Sequence, residues 1–328
     1  YLKRYSARFV MDNRIRDWLK VGGGLSYNNQ EENLVDRGTG GLNSVRMITE
    51  AFPFLPVKYP DGTWAENYHY PAAEGGSNPV HILNDRKFIM NTQNLLGDVY
   101  INVNLAKGLE FRSQVGVNIV TRGFREYSSR TLDQISRSQN GFAFVGNNRE
   151  TFWSSENYFT YNNEFTKNHR LNATLGLSWQ ETNIFNISVS SQNFSTDFFG
   201  YNNLGAGSQP NPGASGASRF AFNSYFGRVN YTLLDKYIVT FTGRADGSSR
   251  FGANNKYAIF PSLAVAWNIA EEAFLKGNNN ISQLKLRLGW GKTGNQEFPS
   301  GASLNRLVFG NRSISQANYG NPDLKWET

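Results

Sequence analysis

The strongest constraint on this chain is an alternation of apolar and polar side chains along its last third. Between residues 237 and 246, one side of an extended strand carries Tyr237, Val239, Phe241, Gly243 and Ala245. The other side carries Ile238, Thr240, Thr242, Arg244 and Asp246. The same alternation returns over residues 257–269 and 284–290. Because successive side chains of a strand point to opposite faces, this pattern predicts a sheet with one apolar face and one wet, charged face.

Composition limits the classes of protein that fit. The chain of 328 residues is long enough for two ordinary domains or one large β structure. No run approaches the ~18–20 apolar residues of a membrane-spanning helix, but a membrane β-barrel is compatible because half of each strand faces water or the lumen. The absence of cysteine excludes disulfides, thiolate zinc sites and a catalytic thiol. The net charge of +7 is spread along the chain without a basic block, so we expect no nucleic-acid partner.

Pairs of alternating segments joined by short turns predict antiparallel hairpins. The predicted pairs are 5–11 with 18–28, 94–105 with 109–120, 151–165 with 171–181, and 220–233 with 237–249. Polar segments between the hairpins predict long loops near 29–87, 122–148, 182–219 and 294–320, the first with a helical stretch over 42–52. Short turns that alternate with long loops are typical of an outer-membrane barrel.

Two all-β architectures compete at this point. In lipid every backbone N–H and C=O must be paired internally, so a membrane sheet has to close into a barrel. Aromatic side chains near segment ends fit a barrel, because Tyr and Trp rings favour the lipid–water interface. They are Tyr231, Tyr237, Tyr257, Trp267, Trp179 and Trp290. A soluble β-sandwich with these aromatics in its core is the alternative, although sandwich strands are usually shorter.

Four ordered motifs resemble one protein family. They read GRADGSSRFG over 243–252, NNKYAIFPSLAVAWNIAEEAFLK over 254–276, ISQLKLRLGWGKTGNQ over 281–296, and NPDLKWET over 321–328. Together they closely resemble the SusC/RagA family of TonB-dependent outer-membrane transporters of Bacteroidetes-type bacteria. The likeness extends upstream to YSARFVMDNRIRDWLKVGGGLSYNN over 5–29, and so covers essentially the whole chain.

The resemblance implies a transmembrane antiparallel β-barrel of 22 strands whose lumen is closed by a plug domain. This chain would supply about ten of those strands, without plug, signal peptide or TonB-contacting segment, as an internal piece of a longer protein. The resemblance also implies import of oligomeric nutrients, glycans and sometimes peptides, with energy delivered through TonB. A SusD-like surface lipoprotein would act as a lid over the loops, the barrel would contact outer-membrane lipid, and no cofactor is expected.

Candidate site residues fall into two groups. Aromatic rings in the first long loop, Trp64, Tyr68 and Tyr70, are the predicted substrate contacts, with loop packing or contact with the lid as the alternative. On the barrel template, the lumen or its rim would be lined by Arg244, Asp246, Arg250, Lys285 and Arg287. Of these, Arg244 and Asp246 share a strand face, where they could pair and contact the plug or form ordinary polar wall.

Enzyme-like patterns do not hold up. Ser282 and Lys285 with the Lys292–Gly294 triplet mimic two β-lactamase elements, but their spacing is too short and a Ser-Asp-Asn element is absent. The histidines His69, His81 and His169 lack metal-ligand spacing. We therefore expect no enzyme. The functional alternative to a transporter is a non-transporting surface β-sheet module that binds glycans or mediates adhesion.

Overall fold

A computed structural model describes residues 1–34, 43–66, 77–132, 138–275, 280–309 and 313–328 of the chain. Ten antiparallel strands form one sheet. They are β1 (Leu2–Arg16), β2 (Leu19–Asn33), β3 (Arg86–Ala106), β4 (Leu109–Ser128), β5 (Phe142–Thr166), β6 (His169–Phe194), β7 (Gly207–Leu233), β8 (Tyr237–Ser248), β9 (Tyr257–Asn268) and β10 (Lys285–Gly291). A separate hairpin pairs β11 (Arg306–Phe309) with β12 (Ile314–Asn318). Two short helices, α1 (Ser44–Glu50) and α2 (Pro79–Asp85), lie between β2 and β3.

Each strand of the sheet pairs with the next strand along the chain, from β1 to β10. Turns of two or three residues join β1 to β2, β3 to β4, β5 to β6 and β7 to β8. We call this edge of the sheet the turn end; the longer connection from β9 to β10, residues 269–284, also lies there. The opposite edge, which carries the connections from β2 to β3, β4 to β5, β6 to β7 and β8 to β9, is the rim. The predicted hairpins are confirmed, and α1 lies inside the predicted helical stretch. Within the described residues, no helix is long and apolar enough to span a membrane.

The register separates the side chains into two faces. On the apolar face, Val239, Leu263 and Leu286 are 42%, 45% and 49% exposed. On the polar face, Ser224 and Asp246 sit opposite each other on β7 and β8, and both are buried. In the described part of the chain the other sheet is the two-stranded hairpin, so no second sheet covers the apolar face. Exposed apolar side chains over so wide a surface contradict the sandwich core and fit a wall that faces lipid.

Two rows of aromatic side chains bound the apolar face. At the turn end, Tyr237 of β8 pairs with Trp267 of β9. Nearer the rim, Trp179 and Tyr257 belong to one row that crosses β8 at Gly247. Positions 237 and 247 are ten residues apart, which is ~33 Å of strand and ~25 Å of height at a tilt of ~40°. That height equals the ~25 Å apolar band of an outer-membrane barrel.

The predicted loop boundaries near 122–148 and 182–219 are wrong. Strands β4 and β5 extend over both sides of the first segment and leave only residues 129–141 as a connection. Strands β6 and β7 likewise reduce the second connection to residues 195–206. The limits 29–87 shrink to 34–85, and β11 and β12 lie inside 294–320. Beyond the aromatic row both faces of a strand meet water, so its sequence need not alternate apolar and polar residues. The backbone hydrogen bonds between the strands continue there all the same.

The GRADGSSRFG motif joins the sheet to the last residues of the chain. Phe251 is buried against Phe260 and Trp326, with ring centroids 5.0 Å apart for Phe251 and Trp326. A Cβ at Gly252 would overlap the backbone of Pro322, and the Gly252 amide donates to the Leu324 carbonyl at 3.1 Å. The motif therefore docks residues 322–326 against the polar face of β9.

One carboxylate holds the connection between β9 and β10 at the turn end. Glu272 accepts hydrogen bonds from Lys236 Nζ at 2.9 Å, from Tyr237 Oη at 2.7 Å and from Trp267 Nε1 at 3.0 Å. These bonds, that from Lys236 first, lower the pKa of Glu272 to about 2. The polar tips of two boundary aromatics are therefore satisfied where the apolar band ends, as interfacial Tyr and Trp require.

We expect single-cysteine probes on the two faces to report different surroundings in the full-length protein in membranes. Lipid-phase quenchers should reach probes at Val239, Leu263 and Leu286, because all three lie on the apolar face, the first two between the aromatic rows and Leu286 level with the row at the turn end. The matched positions on the opposite face are Thr240, Ala264 and Arg287. Equal protection of the first set from both lipid and water would contradict a lipid-facing wall.

We expect Glu272→Gln to lower the unfolding temperature of the full-length protein in detergent at pH 7. Because the folded pKa is depressed from 4.5 to about 2, the stabilisation is complete above 4.5 and is lost as the pH falls towards 2. The difference from wild type should shrink across that window. The neighbouring Glu271→Gln serves as the charge-matched control. A difference that does not depend on pH would rule out the charge as its cause.

We expect Gly252→Val to release the last residues from the sheet, because no side chain fits between residue 252 and Pro322. The cost should be about 1–3 kcal/mol, as for other overpacked sites. Limited proteolysis of the full-length protein would show faster cleavage within residues 313–328. Gly243→Ala is the control, since its Cβ would meet only ordinary contacts. Unchanged cleavage in Gly252→Val would refute the docking role.

Candidate functional site

A polar cavity of about 340 Å³ opens at the rim, between three connections. Its lining comes from the end of α2, the start of β3, the end of β4, the connection from β4 to β5 and the connection from β6 to β7. The lining residues are Asn84, Asp85, Lys87, Tyr127, Ser129, Thr131 and residues 197–202. Position 194 at the end of β6 is fifteen residues beyond Trp179, so this cavity stands roughly 40 Å above the aromatic row.

Asp197 holds two walls of the cavity together. Its Oδ1 accepts a hydrogen bond from Tyr127 Oη at 2.7 Å and from the Arg130 backbone N at 3.1 Å. Its Oδ2 accepts from Arg130 Nε at 3.1 Å. Burial by itself raises the pKa of Asp197, but the hydrogen bonds from Tyr127 and Arg130 outweigh it and keep the pKa below its ordinary value. The carboxylate therefore stays charged at neutral pH and ties the β6–β7 connection to the β4–β5 connection.

Two adjacent aromatic rings stand at the mouth of this cavity. Phe198 is 85% exposed, and its ring meets that of Phe199 edge to face at 5.2 Å. The residues that follow are packed, because Tyr201, Leu204 and Ala206 lie against the buried Phe194 and Tyr127. Uncovered rings beside hydrogen-bonding groups can stack on apolar faces of an oligomeric ligand while the cavity binds its polar groups.

The predicted substrate contact Trp64 is engaged within its own loop. Its ring stacks on the His81 ring at 4.5 Å and 11°, and Lys58 Nζ lies 4.1 Å from its centroid. These contacts match the loop-packing alternative for Trp64. The other two predicted contacts, Tyr68 and Tyr70, lie outside the residues that the structure describes.

A buried hydrogen-bond network joins described residues of this loop. His81 Nδ1 bonds to Glu66 Oε1, and His81 Nε2 lies 3.0 Å from Asp85 Oδ2. Both His81 and Glu66 are buried, so their polar atoms need these partners. The network fixes α2 and directs its last residue, Asp85, to the cavity. Among the described residues, no cluster of three His, Asp or Glu side chains could hold a metal ion.

The predicted lumen residues occupy three separate places. Arg244 Nε donates to Asp246 Oδ1 at 2.6 Å, and Arg244 Nη2 donates to Ser224 Oγ at 2.8 Å. Register places Lys285 and Arg287 of β10 on the same polar face. Arg250 lies at the rim instead. The Arg250 side chain binds the Gln296 carbonyl at 3.1 Å and Glu297 at 3.3 Å, and lies over the Phe220 ring.

Sequence reasoning missed the residues that build the rim cavity. Asp197, Phe198 and Phe199 fall inside the predicted loop 182–219, but no periodicity distinguishes them from their polar neighbours. The available signal was the Phe198–Phe199 dipeptide, since two consecutive phenylalanines in a polar segment are either packed against other residues or exposed for contact with a ligand or partner.

Comparisons with known proteins agree with this architecture. The family model described as "TonB dependent receptor-like, beta-barrel" matches residues 26–328. The TonB-dependent receptor P26 of Formosa agariphila is 31% identical over 342 residues, which cover 100% of this chain and 33% of the relative. The TonB-dependent receptor SusC of Bacteroides thetaiotaomicron is 46% identical over 123 residues, covering 34% of this chain and 12% of SusC.

A solved structure has the same fold over nearly the whole chain. The RagAB peptide transporter superposes with a TM-score of 0.81 at 25% identity, and the match covers 99% of this chain and 37% of that chain. This chain spans about a third of the length of the curated receptors P26 and P3 that it matches. The chain therefore belongs to the TonB-dependent receptor β-barrel family, within its SusC/RagA type, whose members lie in the outer membrane of Bacteroidetes.

Proposed function

We propose that the full-length protein imports oligomeric nutrients, glycans or peptides, across the outer membrane with energy delivered through TonB. The rim would face the cell exterior, since outer-membrane barrels carry long loops outside and short turns in the periplasm. A SusD-like surface lipoprotein would close over the rim as a lid. The family relationship supports transport, and one related protein of known structure, RagAB, is a peptide transporter.

The observation that carries this proposal is the rim cavity with its two uncovered phenylalanines. Its lining mixes carboxylate, ammonium, hydroxyl and amide groups, among them Asp85, Lys87, Ser129 and Asn202. Such a lining can bind the many hydroxyls of a glycan or the backbone of a peptide, while Phe198 and Phe199 supply the apolar contact. On the polar face below, Arg244, Asp246, Lys285 and Arg287 would form part of the inner wall that the ligand passes.

A surface module that binds glycans without transport is the competing function. It would use the same rim cavity but would need no energy from the inner membrane. The apolar face of the sheet favours a wall within the membrane for either function. The two functions therefore differ in whether energy-dependent uptake occurs, and both include ligand binding.

The test uses the full-length protein in its native membrane. Ligand that copurifies with it is identified by mass spectrometry, and uptake of that labelled oligomer is measured with and without an uncoupler of the proton gradient. We expect the uncoupler to abolish uptake. Binding without any uncoupler-sensitive uptake would establish the surface module instead.

Replacing the exposed rings should weaken ligand capture. We expect Phe198→Ala with Phe199→Ala to lower the affinity of the identified oligomer at least about fivefold, given ~0.5–1.5 kcal/mol for each aromatic contact. Phe274→Ala is the matched control, because Phe274 is also exposed but lies at the turn end. Equal affinity in the double variant and the control would show that the rim cavity does not bind the ligand. Transport itself is tested separately by the uncoupler experiment.

A further inference from the structure

The apolar face carries a second feature, a pair of adjoining notches just above the aromatic row near the rim. The lower notch, about 320 Å³, is lined by the rings of Trp153, Trp179 and Tyr257 together with Glu181 and Lys256. The upper notch, about 300 Å³, is lined by Phe185 between Arg149 and Arg219. Register shows that the strand residues share the apolar face, because Trp153 pairs with Glu181 and Arg149 with Phe185. Lys256 precedes β9 and lines the lower notch next to Tyr257.

Cations are concentrated around these notches. The two notches are lined by Arg149, Arg219 and Lys256 and by one carboxylate, Glu181, so the local excess is two positive charges. Arg219 Nη2 bonds to Glu181 Oε2 at 2.6 Å, while the Arg219 side chain remains 70% exposed. Among the described residues, Arg149 and Lys256 have no carboxylate within ion-pair distance. Two cations are thus open to an anion from outside the protein.

The height of two cations places them among lipid headgroups. Lys256 is one residue before Tyr257, and Glu181, which binds Arg219, is two residues beyond Trp179, so these two cations lie about 3–5 Å above the aromatic row. Arg149 stands higher on β5, roughly 15 Å above the row, because the β5 partner of Trp179 is Ser155. Headgroup layers occupy about 5–8 Å on each side of the hydrocarbon. A guanidinium at that level meets lipid phosphate directly, and its planar fork suits a bidentate bond to phosphate.

An apolar notch lies on the same strands below the cations. It measures about 360 Å³ and is lined by Phe159, Leu175, Val229 and Phe241 around Gly227 and Gly243. These two glycines pair across β7 and β8, so no side chain fills the surface between the flanking rings. The notch is four residues below the row of Trp179 and is long enough to take part of an acyl chain.

We propose that this face binds one phosphorylated lipid of the outer leaflet. One phosphate lies between Arg149 and Arg219 and a second lies on Lys256, the sugar or glycerol part packs against Trp153 and Trp179, and an acyl chain occupies the notch over Gly227 and Gly243. The assignment to the outer leaflet depends on the proposed function, in which the rim faces the cell exterior. The binding of a phosphorylated lipid to this face does not depend on it.

The test measures lipid retention by the full-length protein in detergent, using native mass spectrometry. The probes are diphosphorylated lipid A, monophosphorylated lipid A and phosphatidylcholine. We expect retention to fall in that order. We expect the triple variant Arg149→Gln, Arg219→Gln, Lys256→Gln to retain diphosphorylated lipid A at least tenfold less. Lys107→Gln, in the turn between β3 and β4, is the control for loss of one exposed positive charge and should behave as wild type.

A second variant separates the acyl notch from the cations. Gly227→Val fills the notch without changing charge, and its Cβ meets only ordinary contacts. We expect it to lower retention of all three lipids severalfold. Equal retention of diphosphorylated lipid A by wild type and triple variant would overturn the proposal, as would its displacement by millimolar inorganic phosphate, which would indicate a free-anion site. Neither outcome bears on nutrient uptake, which the uncoupler experiment decides.

Discussion

The whole structure depends on pairing backbone hydrogen bonds where no water can replace them. Between the aromatic rows, strands β2 to β8 each have a hydrogen-bonded neighbour on both sides. The ladder becomes one-sided where β7 extends past β8, over residues 207–221. That part lies beyond the aromatic row, where water satisfies the free edge. Pro210 and Pro212 occur in this part of β7, as expected for residues that cannot donate to a ladder.

This constraint explains which parts of the fold are predictable from sequence. Inside the apolar band one face of each strand must be apolar, so alternation marks the hairpins of β3 to β10. Above the band that requirement vanishes, and the segment PNPGASGAS of β7 reads as a loop although it is paired with β6. Only its pairing with the β6 strand determines its conformation, and no local pattern encodes that partner.

The candidate site shows a similar division. The pairing of Arg244 with Asp246 was accessible from sequence, because residues two apart share a strand face. Aromatic density pointed to the loop that contains Trp64, but the sequence does not reveal which rings are covered. Trp64 is stacked on His81, whereas Phe198 is exposed and lies outside the buried cluster of Phe194 and Tyr127. Coverage is a property of tertiary packing, and it decides which aromatic can meet a ligand.

The height of the strands above the membrane has an electrostatic consequence. The rim cavity stands roughly 40 Å above the aromatic row, while the Debye length at physiological salt is about 8 Å. Several screening lengths therefore separate a captured molecule from the anionic surface of the cell. The charge of the membrane surface therefore does not change how readily acidic and neutral molecules approach the cavity. Any preference for charge is set by the groups of the cavity itself, such as Asp85, Lys87 and the Asp197–Arg130 pair.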